Sequence, residues 1–234
     1  MPGLSAVIPI KQLADAKQRL ASVLSPHQRS ALMTAMAADT IEAVVAALGP
    51  EGVIVVAADA AGRDLARSFG VTVIDDASRS GQSAAAAQAV LDAIRRSLAA
   101  VIALPADIPL ATPSEIARLA HSVLADSLNS SMGTMTIVPA RDRDGSNALA
   151  LTPPDALHFQ FGPGSYQRHV AAAVAAGLRV HEFAFPGIAL DIDTPDDLVE
   201  LTRRPGRGRT HGYLTRLGLD WRLRVDTSSP MAAQ

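Results

Sequence analysis

The chain has 234 residues, 48% hydrophobic and 19% charged, with a formal net charge of −2. This composition can bury a sizeable core, excludes a disordered polyelectrolyte and exerts no overall pull toward nucleic acid. Aromatics at 3% are poor material for stacking bases, and the absence of cysteine excludes disulfides, thiolate nucleophiles, cysteine-bound zinc and iron–sulfur clusters.

Short apolar runs alternate with longer Ala-rich stretches. Leu4–Ile10 reads as a first strand, with no basic region before it that would mark a signal peptide. Ser25-Pro26 opens a helix expected to reach about Leu48, with Ser as N-cap and Pro at the first helical position. Val53–Ala57 is a second strand, Asp59–Phe69 a short helix, Val71–Ile74 a third strand, Ser83–Ser97 a helix and Ala100–Leu104 a fourth strand. Thr112-Pro113-Ser114-Glu115 is a capping box that starts another helix. Thr134–Pro139 and Ala148–Leu151 read as strands, Gly164–Ala176 as a helix, Arg179–Phe185 as extended, and Thr194-Pro195-Asp196-Asp197 as the start of a last helix.

Strands followed by helices at this spacing imply βαβ units, right-handed crossovers and a mostly parallel sheet. The apolar runs look too short and too often broken by charge to span a membrane, so a cytoplasmic protein is expected. From about Arg203 the character changes: Arg203, Arg204, Arg207 and Arg209 interleave with Pro and Gly, and Trp221 follows. Residues 203–234 are therefore expected to form an Arg-rich tail behind a domain at 1–202, with Trp221 as its packing anchor.

Ligands on such sheets bind beyond the carboxyl ends of the strands. The loop after the first strand carries Lys11, Lys17 and Arg19, and its lysines are the only ones in the chain. Two ammonium charges and a guanidinium there would suit a triphosphate, or else form an ordinary amphipathic surface. Neither a Walker loop nor a G-x-G-x-x-G fingerprint is present. Asp107 follows the fourth strand, where it is either a metal ligand or a turn residue satisfied by backbone donors. Asp191 and Asp193 alternate on an extended segment and so point to one side, which is costly without a cation or donors between them; Asp193 could instead help cap the helix after Thr194. Carboxylates without thiolates favour magnesium over zinc. Ser146 and Asn147 after Gly145, and Gly162 to Ser165, place small polar residues beside glycine, either as plain turns or as backbone donors for an anion. His169, one helical turn after Ser165, could face the same pocket but reads more readily as a satisfied core or surface histidine. No G-x-S-x-G elbow supports a hydrolase triad.

These segments, IPIKQLADAKQRL, LPADIPL, DGSNALAL, FGPGSYQRH and LDIDTPDDL, run in order over most of the chain. In that order they resemble the CofC/FbiD group of guanylyltransferases, which make the deazaflavin coenzyme F-420. The resemblance implies a three-layer α/β fold like that of the nucleotide-diphospho-sugar transferases (GT-A-like). It implies GTP and a small phosphorylated three-carbon acid as partners, with no nucleic acid, no membrane and room for a homodimer. By position, Lys11, Lys17 and Arg19 would hold the GTP phosphates, with Gly81 and Ser83 also toward the nucleotide. Asp107, Asp191 and Asp193 would bind Mg2+, with Lys17, Arg19 and Asp107 as the catalytic set. Ser146, Asn147, Gly162 and Ser165 would seat the acid. Gly81-Gln82-Ser83 departs from the Asn-containing loop usual before the third helix, which bears on the choice of GTP over ATP, and the Arg-rich tail is not expected of the family core. The remaining alternatives are a nucleotidyltransferase of the same fold using a sugar phosphate or molybdopterin, and a non-catalytic nucleotide-binding module.

Overall fold

A computed structural model describes residues 3–13, 16–76, 82–129 and 132–218. Seven strands form one sheet: β1 (Leu4–Ile10), β2 (Val53–Ala57), β3 (Thr72–Asp75), β4 (Ala100–Ala103), β5 (Thr134–Pro139), β6 (Ser146–Thr152) and β7 (Arg179–Glu182). Their order is β3-β2-β1-β4-β6-β5-β7. The β1–β2, β2–β3, β1–β4 and β5–β7 pairs are parallel, while β6 runs antiparallel to both β4 and β5. The registers Ile8↔Val55 and Ala6↔Ile102 set β1 between β2 and β4.

The central strands β1, β2 and β4 are buried throughout and, Ser5 apart, apolar, because both faces are covered. Leu4, Ala6, Ile8 and Ile10 of β1, with Val53, Val55 and Ala57 of β2, face one core; Val7, Ile54 and Val56 face the other. This period of two defines three layers. On the first face pack α1 (Pro26–Leu48), α2 (Ala60–Ser68), α4 (Pro113–Asn129), α6 (Pro195–Arg203) and α7 (Arg209–Arg216). On the second lie α3 (Gln82–Arg95), through Ala85, Ala86 and Ala89, and α5 (Ser165–Ala175), through Tyr166 and Ala173.

The helix starts follow local chemistry. Ser25 and Gln28 form a reciprocal capping box with Pro26 at the first position, and Thr194 does the same with Asp197. Thr112 and Glu115 exchange the equivalent bonds. One expectation needs correcting: among the described residues α1 is long and apolar enough to cross a membrane, so run length alone did not exclude a span. Its burial does the work, since Leu32, Met36, Ile41 and Val44 are sealed against the sheet. The stretch set apart as a tail supplies α7, which docks on α1: Asp39 of α1 accepts bonds from the Arg209 and Thr210 amides at 2.8 and 2.9 Å. Trp221 lies outside the described residues.

One end of the sheet gathers the chemistry. The carboxyl ends of β1, β4 and β5 open on the same edge, and the reversal of β6 brings its first residues, Ser146 and Asn147, there too.

Candidate active site

A cleft of about 800 Å³ opens along this edge. Lys11, Lys17, Arg19, Asp107, Ser146, Asn147, Gly162, Ser165, Asp191 and Asp193 all line it. The fold thus brings together nearly every residue that the sequence singled out. Ser83 is placed otherwise: its Oγ accepts a 3.0 Å bond from the Phe161 amide, tying the start of α3 to the loop before α5. Gly81 lies outside the described residues.

The cationic loop is built around Lys17, whose backbone is left-handed (φ 57°). Arg29 of α1, 6% exposed, secures the loop by donating to the Leu24 carbonyl at 3.0 Å and, more loosely, to the Ala16 carbonyl and the Gln18 side chain at 3.4 Å. A buried guanidinium must spend its donors on something; here it spends them on the loop that holds Lys17. No sequence motif marks Arg29, because its partners are two backbone carbonyls and a glutamine side chain brought to it by the fold.

Lys17 turns its ammonium onto Asp107 and, at 2.6 Å, onto Asp193. Burial opposes its charge, but the two carboxylates outweigh burial and hold its pKa above the usual lysine range. Burial likewise works against the ionised form of Asp193, yet Lys17, then Arg19 and Lys11, keep its pKa below the ordinary aspartate value. Arg19 itself is largely exposed, 3.9 Å from Asp193.

Asp191 is the opposite case. Burial, then the neighbouring charge of Asp107, pushes its pKa up to about 6, partly offset by a 3.0 Å bond donated by Asn147 Nδ2. The same Asn147 amide group also donates to the Ile188 carbonyl, so it pins the Asp191 segment. That segment is held further by the Ile192 amide on the Asp107 carbonyl at 3.1 Å and by the Gly187 amide on Glu115 at 2.8 Å. Gly187 has to be glycine, because a Cβ there would collide with the Leu110 carbonyl.

Among the described residues no group of three or more His, Cys, Asp or Glu side chains converges closely enough to cage a metal ion. The Lys17 ammonium stands between two of the three aspartates instead. Their chemistry still suits a hard cation: the donors are all oxygen, and Asp107 Oδ1 is buried without a hydrogen-bond partner.

Along the same cleft, the start of β6 meets the start of α5. The Ser146 amide donates to Ser165 Oγ at 3.0 Å, and the two hydroxyl oxygens lie 3.4 Å apart. Gly162, with φ 116°, supports the tight turn that delivers Ser165 to the helix N-terminus. Asp144 braces this turn by accepting from the Gly164 amide at 3.0 Å.

Cations, carboxylates and the amides of a helix start thus share one edge of an open α/β sheet, and solved structures share that fold. A protein from Desulfovibrio desulfuricans described as a nucleotide-diphospho-sugar transferase superposes with a TM-score of 0.71 at 19% identity, covering 93% of this chain and 96% of its own. A cytidylyltransferase from Leptospira borgpetersenii superposes at 0.57 with 12% identity over the full length of both. Residues 4–231 match the family model "Guanylyl transferase CofC like", and the chain belongs to that family. The match takes in most of the Arg-rich C-terminal stretch, contrary to the expectation that it lies outside the family core. The phosphoenolpyruvate guanylyltransferase of Conexibacter woesei is 35% identical over 91% of this chain and 95% of its own length. The enzyme of the same name from Rubrobacter xylanophilus is 37% identical over 86% and 94%. The chain is therefore an enzyme, a guanylyltransferase.

Proposed function

We propose that the enzyme transfers GMP from GTP to the phosphate of a small phosphorylated three-carbon acid, releasing pyrophosphate, in the cytoplasm and toward coenzyme F-420. Phosphoenolpyruvate is the leading acceptor, since the relatives above carry it in their names; 2-phospho-L-lactate and 3-phosphoglycerate have the same chemistry. One observation carries the reading. A lysine–arginine loop, a set of aspartates and a hydroxyl pair at a helix N-terminus share a single cleft.

An oxygen of the acid's phosphate attacks the α-phosphorus of GTP; the new O–P bond forms as the bond to the β-bridging oxygen breaks, and the electron pair leaves with pyrophosphate. A phosphate monoester has its second pKa near ~6, so the nucleophile arrives deprotonated and no general base is needed. The obstacle is repulsion between two anions. Lys11, Lys17 and Arg19 supply positive charge on the nucleotide side. Ser146, Ser165 and the backbone near Gly162 would seat the acid on the other, so that catalysis is positioning plus electrostatics. Asn147, expected from the sequence to seat the acid, has both amide protons committed to Ile188 and Asp191 and so holds the aspartate segment instead. Asp107, Asp191 and Asp193 would hold Mg2+, which when bound neutralises phosphate charge.

The experiment is pyrophosphate release measured across the three acids, a sugar phosphate and molybdopterin, with GTP and ATP in parallel. Release with GTP and a phospho-acid supports the reading; release only with a sugar phosphate or molybdopterin overturns it.

A further inference from the structure

His169 lies behind the serine pair, 1% exposed, and does not itself line the cleft. Its ring has a complete set of partners. Nε2 is 2.9 Å from the Gln160 amide nitrogen, and Nδ1 is 2.9 Å from Ser146 Oγ. The Phe161 ring packs edge-on against it, with centroids 5.5 Å apart.

These contacts fix the proton. A backbone N–H can only donate, so Nε2 must be the acceptor, and a neutral imidazole then carries its hydrogen on Nδ1. Burial and the neighbouring Arg168 lower the ring's pKa to about 4, consistent with a neutral ring. Nδ1–H therefore donates to Ser146 Oγ. The serine pair holds two hydroxyl protons and makes one mutual contact, at 3.4 Å. Ser165 Oγ already accepts the Ser146 amide. With His169 donating into the pair, at least one hydroxyl proton has no partner inside it and is free for an acceptor in the cleft. With the opposite tautomer, His169 would draw the Ser146 proton inward and leave at most the Ser165 proton for an incoming anion.

We propose that His169 is a positioning residue: acting through Ser146, it commits the Ser146–Ser165 pair to donate hydrogen bonds to the anionic group of the acceptor acid. This rests on the reading of that pair as the acceptor's seat.

Two measurements test it. In the full-length protein labelled with 15N-histidine, long-range 1H–15N correlation should show His169 protonated at Nδ1; protonation at Nε2 overturns the proposal without any variant. Kinetics separate function from packing. His169→Leu and His169→Asn are similar in size and both lose the Gln160 bond, but only Asn can donate to Ser146. The Leu variant should raise the acceptor's KM about tenfold, with the KM for GTP moving by less than about twofold, and Asn should recover most of the loss. Equal effects of Leu and Asn, or parallel rises for both substrates, mean a structural role and overturn the proposal. Ser146→Ala distinguishes the two levels. An unchanged acceptor KM there strikes down the acceptor seat itself. A raised KM there, with none in His169→Leu, strikes down only the part assigned to His169.

Discussion

Lys17 and Asp193, 176 positions apart in the chain, meet at 2.6 Å, and the same ammonium also bonds Asp107. The lysine thus stands where a divalent cation would draw on those carboxylates. A cation arriving alone must compete with a resident positive charge, whereas one arriving with a triphosphate brings a new partner for Lys17. For Lys17→Met, binding of Mn2+ alone, followed by electron paramagnetic resonance, should tighten by about tenfold. Binding of GTP should weaken in the same variant. Unchanged Mn2+ affinity would show that the ammonium does not compete for the aspartates.

Asp107 and Asp191 border the cleft rather than the apolar core, so their amides should fold. Asp191→Asn keeps an oxygen to accept the Asn147 bond. Both Asp107→Asn and Asp191→Asn should lower pyrophosphate release by about a hundredfold or more at saturating Mg2+, with far-ultraviolet circular dichroism unchanged. Wild-type turnover in either variant would remove that aspartate from the metal set.

Acid stability should reveal two opposing groups. The folded pKa of Asp191, about 6, lies above its ordinary 3.8, so the folded state binds the proton more tightly and stability falls as pH rises across that window. The folded pKa of His169, about 4, lies below its ordinary 6.5, so the unfolded state binds the proton more tightly and stability rises with pH between those values. In the wild-type enzyme the two slopes should oppose each other where the windows overlap, between about pH 4 and 6. Asp191→Asn should therefore leave a visible rise in urea-unfolding free energy between pH 4 and 6.5, while His169→Asn should leave a fall between pH 3.8 and 6. Parallel profiles in both variants would refute the assignment.

What the sequence revealed tracks the range of the interactions. The capping boxes at Ser25, Thr112 and Thr194 close within three residues, so those helix starts were legible. The short unbroken apolar run Val53–Ala57 marks a strand, but nothing local records the direction in which a strand runs. The reversal of β6 thus went unseen, and with it the fact that Ser146 and Asn147 begin a strand rather than a Gly-rich turn. The site residues were legible as types, Lys17 and Asp193 among them, but their ion pair depends on chain crossing that spacing cannot encode. Helix α7 has no side-chain cap of its own, since its cap is Asp39 of another helix.

That borrowed cap yields a stability prediction remote from the cleft. Asp39 accepts from two first-turn amides of α7, and Gly208 packs so closely that a Cβ would lie 2.5 Å from Asp39 Oδ2. Asp39→Ala should cost about 1–2 kcal/mol, the usual toll of losing a helix N-cap, which lowers Tm by several degrees in a chain of this size. Gly208→Ala should also destabilise, through collision with the carboxylate rather than loss of it. Because the two changes act on the same contact, they should not add: once Asp39 is alanine, the added methyl at 208 has room, and the second substitution should cost less than it does alone. Thermal unfolding of the two single variants and the double variant closes this cycle. Strict additivity would mean that α7 is held chiefly by its apolar face, through Leu214 against the α1 core, and not by the cap.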